Sequence, residues 1–168
     1  MTSRRVRRPC GALQFPAKPS GWGHRGARRA APDLPNVQAI DTLTPCPCGN
    51  RAGYTHCCGP LHDGAAAATA EALMRSRYSA YVLKREDYLL ATWHASTRPD
   101  HLKLAAQQPA PSWLGLDVKR HEERDGHATV EFVARLRYGG GKAQRMHEVS
   151  QFVREDGRWY YLDGEIRA

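Results

Sequence analysis

Four of the five cysteines lie within thirteen residues, Cys46-Pro47-Cys48 and then, eight residues on, Cys57-Cys58, in a stretch with no apolar periodicity of its own. Two close pairs joined by one tight loop can bring four thiolates together from two sides, the donor set that tetrahedral zinc takes. Gly49 and Gly53 lie in the loop and Gly59-Pro60 closes it; glycine lets the chain turn back at low steric cost. Disulfides are the competing reading. Adjacent cysteines bond each other only with strain, and two bridges across so short a loop are crowded. Zinc is therefore favoured, in a structural role, with Cys46, Cys48, Cys57 and Cys58 as ligands. His56 and His62 are nearby spare ligands, and the simpler expectation for both is a surface histidine. Cys10 stands far away in a polar, basic tail as a bystander.

That tail carries most of the net charge of +8: residues 1–40 hold eight Lys and Arg against one acid, whereas residues 41–168 hold seventeen against sixteen. Rich in Arg, Pro, Gly and Ala and without a helix or strand period, residues 1–43 are expected to be disordered. Arg4-Arg5 and Arg7-Arg8 could touch nucleic acid or anionic lipid, but with the basic charge confined to the tail, nucleic acid is not the expected partner. Pro9, Pro16 and Pro19 interrupt any export or transit helix. No stretch reaches the roughly 18–20 apolar residues that span a bilayer. With thiols poised for zinc and no credible signal, a cytoplasmic protein with no membrane contact is expected.

Over 69–83 the apolar residues Ala70, Leu73, Met74, Tyr78, Tyr81 and Val82 recur at helical spacing, with Glu71, Arg75 and Lys84 outside the stripe; this pattern predicts an amphipathic helix with one packed face. A short helix over 85–93 follows, pointing Leu89, Leu90 and Trp93 inward, and 94–111 reads as a mobile connection with a helical turn near 102–106. Beyond Trp113 the texture is β. Asp125-Gly126 and Asp156-Gly157 mark two-residue hairpin turns, and Gly139-Gly140-Gly141 marks a third turn. Strands over 113–124, 127–138, 143–155 and 158–165 make an antiparallel meander, and helices followed by such a run argue an α+β fold.

The C-x-C-x8-C-C spacing resembles the SEC-C motif, a small zinc-binding unit. Downstream come Leu73-Met74-Arg75-Ser76-Arg77-Tyr78-Ser79-Ala80-Tyr81, Asp87-Tyr88-Leu89, Thr92-Trp93-His94, Trp113-Leu114-Gly115-Leu116 and Trp159-Tyr160-Tyr161-Leu162-Asp163-Gly164. Together with the cysteines these resemble the bacterial YchJ-like family, over 45–164. The resemblance implies an amino-terminal SEC-C unit (44–62) followed by a domain of NTF2-like, cystatin-like fold (65–168), a cone in which helices pack on a curved antiparallel sheet. It also implies a protein partner docked on the zinc knuckle and a homodimer formed through the sheet.

A turn at Asp156-Gly157 pairs Arg154 with Trp159, Phe152 with Tyr161, Ser150 with Asp163 and Glu148 with Glu165 on one face. Val149, Val153, Tyr160 and Leu162 take the other, and one of the two faces is expected to line the cone. The ligand-pocket candidates are Tyr81, Trp93, His94, Glu148, Tyr161 and Asp163. An enzyme reading uses His94 with Asp163 or Glu148 as acid and base and Tyr81 or Tyr161 as a hydrogen-bonding wall. The structural reading, favoured because such networks commonly imitate active sites, has Trp93-His94 capping a helix. In it Glu148, Asp163, Arg75 and Arg77 form ion pairs that orient the helix. His121, His127 and His147 are expected to face solvent, and Trp113 and Trp159 to pack at the core or rim. No phosphate loop, nucleophile elbow or HExxH is present. The favoured function is a zinc-stabilised adapter with a ligand-binding or dimerising NTF2-like domain; the alternative is a small-molecule enzyme.

Overall fold

The computed structural model describes residues 45–167; Cys10 and the basic tail lie outside the described residues. A 3-10 turn, Tyr54–His56, precedes the single helical turn α1 (Gly59–His62), then α2 (Ala70–Val82) and α3 (Glu86–Ala91). After a second 3-10 turn, Leu104–Ala106, come β1 (Pro111–Arg124), β2 (His127–Tyr138), β3 (Gln144–Glu155) and β4 (Arg158–Arg167). The strands form one antiparallel sheet in the order β1-β2-β3-β4, the meander that the hairpin signals imply.

Helix α2 starts at Thr69, whose hydroxyl accepts from the Ala72 amide at 3.1 Å, a side-chain N-cap. Glu123 of β1 accepts from the Ala70 amide at 2.7 Å and fixes that end of the helix to the sheet. The expectation of one packed face is corrected. Ser76, Arg77, Ser79 and Ala80 are buried along with Leu73, Met74 and Tyr78, because three neighbours enclose the helix. The concave face of the sheet takes Met74 and Tyr78. The α3 side takes Ser76 and Arg77, through Ser76 Oγ to Tyr88 Oη at 2.6 Å and Arg77 Nη1 to Leu89 O at 2.7 Å. The cysteine knuckle takes Ser79. Cys46, Cys48, Tyr54 and Cys58 belong to the same buried cluster as Leu73, Phe152 and Trp159, so the knuckle is a wall of the core.

Asp125 and Gly126, and likewise Asp156 and Gly157, have positive φ at both positions, the type I′ geometry that matches strand twist. Arg154↔Trp159 and Phe152↔Tyr161 pair as expected, but Gln151 then pairs with Asp163. Leu162 is an extra residue on β4. A one-residue bulge exchanges the faces of everything beyond it, so Ser150 faces Gly164 and Glu148 faces Ile166. The expected Ser150–Asp163 and Glu148–Glu165 pairs do not form. The cause is visible next door: the Tyr161 amide donates to Thr92 O at 2.9 Å and the His94 amide donates to Tyr161 O at 2.8 Å. This short parallel bridge of Trp93 on Tyr161 engages the free edge of β4.

The connection expected to be mobile is tied at two points. The Glu86 carboxylate accepts from the amides of Leu102, Lys103 and Leu104 at 2.8, 3.2 and 3.0 Å, and these amides hold its pKa below the ordinary carboxylate value. Thr97 Oγ1 donates to Leu162 O.

Candidate metal centre and cone cavity

The knuckle is closed by backbone bonds before any side chain is considered. The Cys46 amide donates to Ala52 O at 3.1 Å and the Gly49 amide donates back to Cys46 O at 2.9 Å, folding the first cysteine pair over the second. The sulfurs of Cys46, Cys48, Cys57 and Cys58 all lie within 4.8 Å of one another. Cys48 to Cys57 is 3.6 Å and Cys57 to Cys58 is 3.9 Å. All four are free thiols, at separations far beyond the ~2.05 Å of a disulfide. A tetrahedron with Zn–S bonds of about 2.3 Å has S–S edges of about 3.8 Å, so the cage has the size that a zinc ion takes. The donor set is four soft thiols with no carboxylate among them, which suits zinc better than a hard cation.

Electrostatics give the same picture. Thiol hydrogen bonds from Cys48 and Cys58 hold the Cys46 thiol far below its ordinary pKa. Thiol hydrogen bonds to Cys46 and to Cys48 push Cys58 up. Burial first, and the charge of Cys48 second, push Cys57 up to about 12. Packed thiolates cannot all ionise unaided; a dication among them reverses that balance and takes them as thiolates. Ser79, fully buried on α2, donates to Cys58 Sγ at 3.3 Å and lies 3.7 Å from Cys46 Sγ. It fixes the orientation of two ligands from outside the cage.

Neither histidine joins the cage. His56 is exposed and bonds Thr55. His62 corrects the expectation of a surface residue: it is 7% exposed, because α1 folds its imidazole against Tyr88, ring centroids 4.4 Å apart. Its Nε2 lies 2.8 Å from Ser76 O and its Nδ1 2.8 Å from Tyr54 Oη. A carbonyl only accepts, so Nε2 carries the proton; burial holds the ring's pKa below its ordinary value, leaving Nδ1 to accept from Tyr54. Both nitrogens serve to bind the knuckle to α2.

A cavity of about 40 Å³ lies between α2 and the sheet, lined by Arg77, Tyr81, Glu148 and Tyr161 among apolar side chains such as Met74 and Phe132. Of the six pocket candidates, the structure brings Tyr81, Glu148 and Tyr161 together there. The other three lie elsewhere. Trp93 is 1% exposed and packs edge-on to Tyr161, with its indole N–H donating to Thr97. His94 is held by Ser96 at 2.6 Å and Glu155 at 3.0 Å, at the hairpin end of β3. Asp163 is turned to the Gln151 face by the bulge.

Glu148 is buried. Its Oε1 accepts from Ser150 at 2.6 Å and from Tyr161 at 3.4 Å; burial nevertheless raises its pKa above the ordinary carboxylate value. The expected ion-pair network does not form. Arg75 pairs with Glu71 at 2.8 Å, and Arg77 stacks on Trp93 and Tyr161, 5.1 and 4.6 Å from their ring centres. The bulge has a second consequence that the residue pattern did not disclose. A Cβ on Gly164 would lie 2.3 Å from Glu148 Oε1 and 2.7 Å from Tyr161 Oη, so glycine there makes room for the carboxylate.

Trp113 flanks Tyr78 at 5.3 Å and lines the cavity, whereas Trp159 is core. The strand histidines divide: His127 is exposed, His147 bonds Glu131 at 2.7 Å, and His121 lies between Glu71 and Glu123 at 3.4 and 3.5 Å.

The match to known proteins agrees with this architecture. The family model described as "YchJ, middle NTF2-like domain" matches residues 69–164. A UPF0225 protein of Xanthomonas campestris pv. campestris is 59% identical over 120 residues, covering 71% of this chain and 92% of its own. A UPF0225 protein of Bordetella pertussis is 56% identical over 126 residues, covering 73% and 92%. Among solved structures, a SEC-C motif containing protein from Rhodopseudomonas palustris superposes with a TM-score of 0.68 at 44% identity, covering 74% of this chain and all of that one. A cysteine knuckle of SEC-C type set against an NTF2-like domain, with this degree of identity over most of the length, places the chain in the YchJ-like (UPF0225) family.

Proposed function

We propose that this is a zinc-stabilised binding protein of the cytoplasm, in which the four-cysteine knuckle is clamped to the NTF2-like domain and presents its outer loop to a protein partner. The convergence of four sulfurs on the buried Ser79 face of α2 carries the reading. The ion occupies a closed thiolate cage and leaves no coordination position for a reacting water, so its role is structural. The outer rim of the knuckle, from Asn50 and Arg51 to Thr55 and His56, is exposed and is the surface offered to the partner. Native mass spectrometry of protein purified without added metal tests the metal: one zinc per chain is expected, and a metal-free chain that remains folded contradicts the proposal. For the partner, the exposed variant Arg51→Glu is more informative than a cysteine variant, since loss of a cysteine also opens the core. An unchanged set of captured proteins argues against the knuckle rim as the contact.

The same spectrum reports subunit number. A homodimer through the outer sheet face meets Arg135 and Arg145, which are directly opposed across β2 and β3 and exposed. Like charges opposed in this way disfavour self-association at that end of the face.

A second reading is favoured by one observation, the cavity that gathers Arg77, Tyr81, Glu148 and Tyr161: the NTF2-like domain holds a small ligand there. With His94 bonded to Glu155 outside it, the acid–base pair expected of an enzyme is not assembled, and binding suits the geometry better than turnover.

A further inference from the structure

We propose that the cone cavity binds a short monocarboxylate, of acetate to propionate size, gripped between Arg77, Tyr81 and Glu148. This rests on the ligand-binding reading of the NTF2-like domain and is independent of the metal.

Three polar groups reach the cavity with bonding capacity left over. Arg77 is 5% exposed and is in none of the ion pairs among the described residues. Its Nη1 donates to Leu89 O and Thr92 Oγ1, each at 2.7 Å, while Nε and Nη2 have no hydrogen-bond acceptor among the described residues. Arginine stays charged in proteins, and a buried charge is ordinarily paired. Glu148, 6% exposed, receives both of its hydrogen bonds at Oε1, which leaves Oε2 unused. The Tyr81 hydroxyl, on the same helix as Arg77 and one turn on, has no hydrogen-bond partner among the described residues. Apart from Ser150 and the phenols of Tyr78 and Tyr161, the rest of the lining is apolar. Few convergent polar groups in an apolar wall is the pattern of a ligand site.

The chemistry of these groups selects the ligand. Two guanidinium N–H groups and a phenol O–H call for an acceptor carrying negative charge, and a carboxylate offers about four lone-pair sites in one plane. An amine would meet Arg77 as a like charge. Burial works against the negative charge of Glu148, which lessens its repulsion of an incoming carboxylate. Size sets the upper limit. One water needs roughly 10–15 Å³ and the cavity offers about 40 Å³, room for a carboxylate and a short alkyl stub against Met74 and Phe132.

The test is a titration of the zinc-loaded full chain, followed by ¹H–¹⁵N spectra at constant ionic strength, with propionate, propylamine, benzoate and inorganic phosphate as separate probes. Saturable shifts at the amides of Glu148, Ser150 and Tyr161 are expected with propionate, none with propylamine, and at least about tenfold weaker binding of benzoate, a factor worth 1.4 kcal/mol. Tyr81→Phe, which alters no bond among the described residues, should weaken propionate by about fivefold. Absence of saturable shifts up to ~50 mM propionate, well beyond the millimolar affinity of a weak site, or equal response to propylamine or phosphate, overturns the assignment. Native mass spectrometry separates this failure from that of the underlying reading. A retained small molecule of other chemistry removes the carboxylate and keeps the ligand domain, whereas no titration and no retained mass removes both.

Discussion

The Ser79 hydroxyl donates to Cys58 Sγ at 3.3 Å and stands 3.7 Å from Cys46 Sγ, so one fully buried side chain of α2 touches both cysteine pairs. Removing an outer-shell partner of a metal ligand typically costs ten- to a hundredfold in affinity. Ser79→Ala should therefore weaken zinc by roughly that factor, read by competition with a chromophoric chelator, while the fold survives. Unchanged affinity would mean that the hydroxyl merely fills space.

Metal removal should reach further than the knuckle. Cys46, Cys48, Tyr54 and Cys58 are part of the main core, and metal binding energy is folding energy where the site does not persist in the unfolded chain. Stripping zinc with a strong chelator should lower Tm by about 10 °C or more, the equivalent of ~3–5 kcal/mol for a domain of this size. Tyrosine signals in near-ultraviolet circular dichroism should change as Tyr54 is released. A chelated protein with the same Tm and the same tyrosine environment sinks the idea that the knuckle is a wall of the core.

Gly164 tests the bulge. A methyl group there collides with Glu148 Oε1 and Tyr161 Oη, and moving the first aside breaks its bonds from Ser150 and Tyr161. Gly164→Ala should destabilise by about 1–3 kcal/mol, the usual cost of overpacking, measured by urea unfolding. Were the register the unbulged one, residue 164 would point outward and the substitution would be nearly silent.

Glu148 supplies the pH dependence. The groups that face it are Arg77 and Tyr81 from α2 and Ser150 and Tyr161 from β3 and β4, with the charge of Asp163 acting from the other face of the sheet; burial is the largest influence and raises its pKa above 4.5. In the window between the unfolded and folded values the native state holds a proton that the unfolded chain has released. This contribution is thus complete below pH about 4.5 and is lost as pH rises through the folded value, by at most ~1.4 kcal/mol per pH unit. Glu148→Gln should flatten that decline. A wild-type stability that rises across the window, with the variant parallel to it, would falsify the assignment.

What was legible in the chain divides along physical lines. The four cysteines, the Asp-Gly turns and the helical span of α2 are local signals, and the structure keeps each where its spacing put it, whereas the single packed face of α2 is lost because neighbours on three sides bury Ser76, Arg77 and Ser79 as well. The face of Asp163 was not legible, because a bulge at Leu162 depends on a tertiary contact, the Trp93 bridge to Tyr161, and one inserted residue reverses every side chain after it. The same contact holds the backbone at His94, whose side chain turns to Ser96 and Glu155 instead of the cavity. Ser79 and Gly164 were in view as letters of the family block, but a serine in mid-helix and a glycine near a strand end have many ordinary explanations. The burial of His62 is not legible in the chain because histidine is usually exposed or half-exposed, and its two partners, Tyr54 and Ser76, are supplied by separate elements.

That histidine carries the last prediction. Arg85 donates to Tyr54 Oη at 3.1 Å, Tyr54 donates to His62, and His62 donates to Ser76 O, so a single chain of bonds ties α1 and the 3-10 turn to α2. His62→Ala removes the second hydrogen bond of the Ser76 carbonyl, which keeps its own bond within α2, leaves the Tyr54 hydroxyl without its acceptor and breaks the chain, at an expected cost of about 1–3 kcal/mol. His62→Gln can donate to the carbonyl and accept from the phenol, and should recover part of that loss. Because α1 begins directly after Cys58, loosening it should also lower zinc affinity, and both variants should show the two effects in proportion. If His62→Ala unfolds more easily yet binds zinc as tightly as before, the cage is self-sufficient and the docking of the knuckle on α2 contributes stability alone.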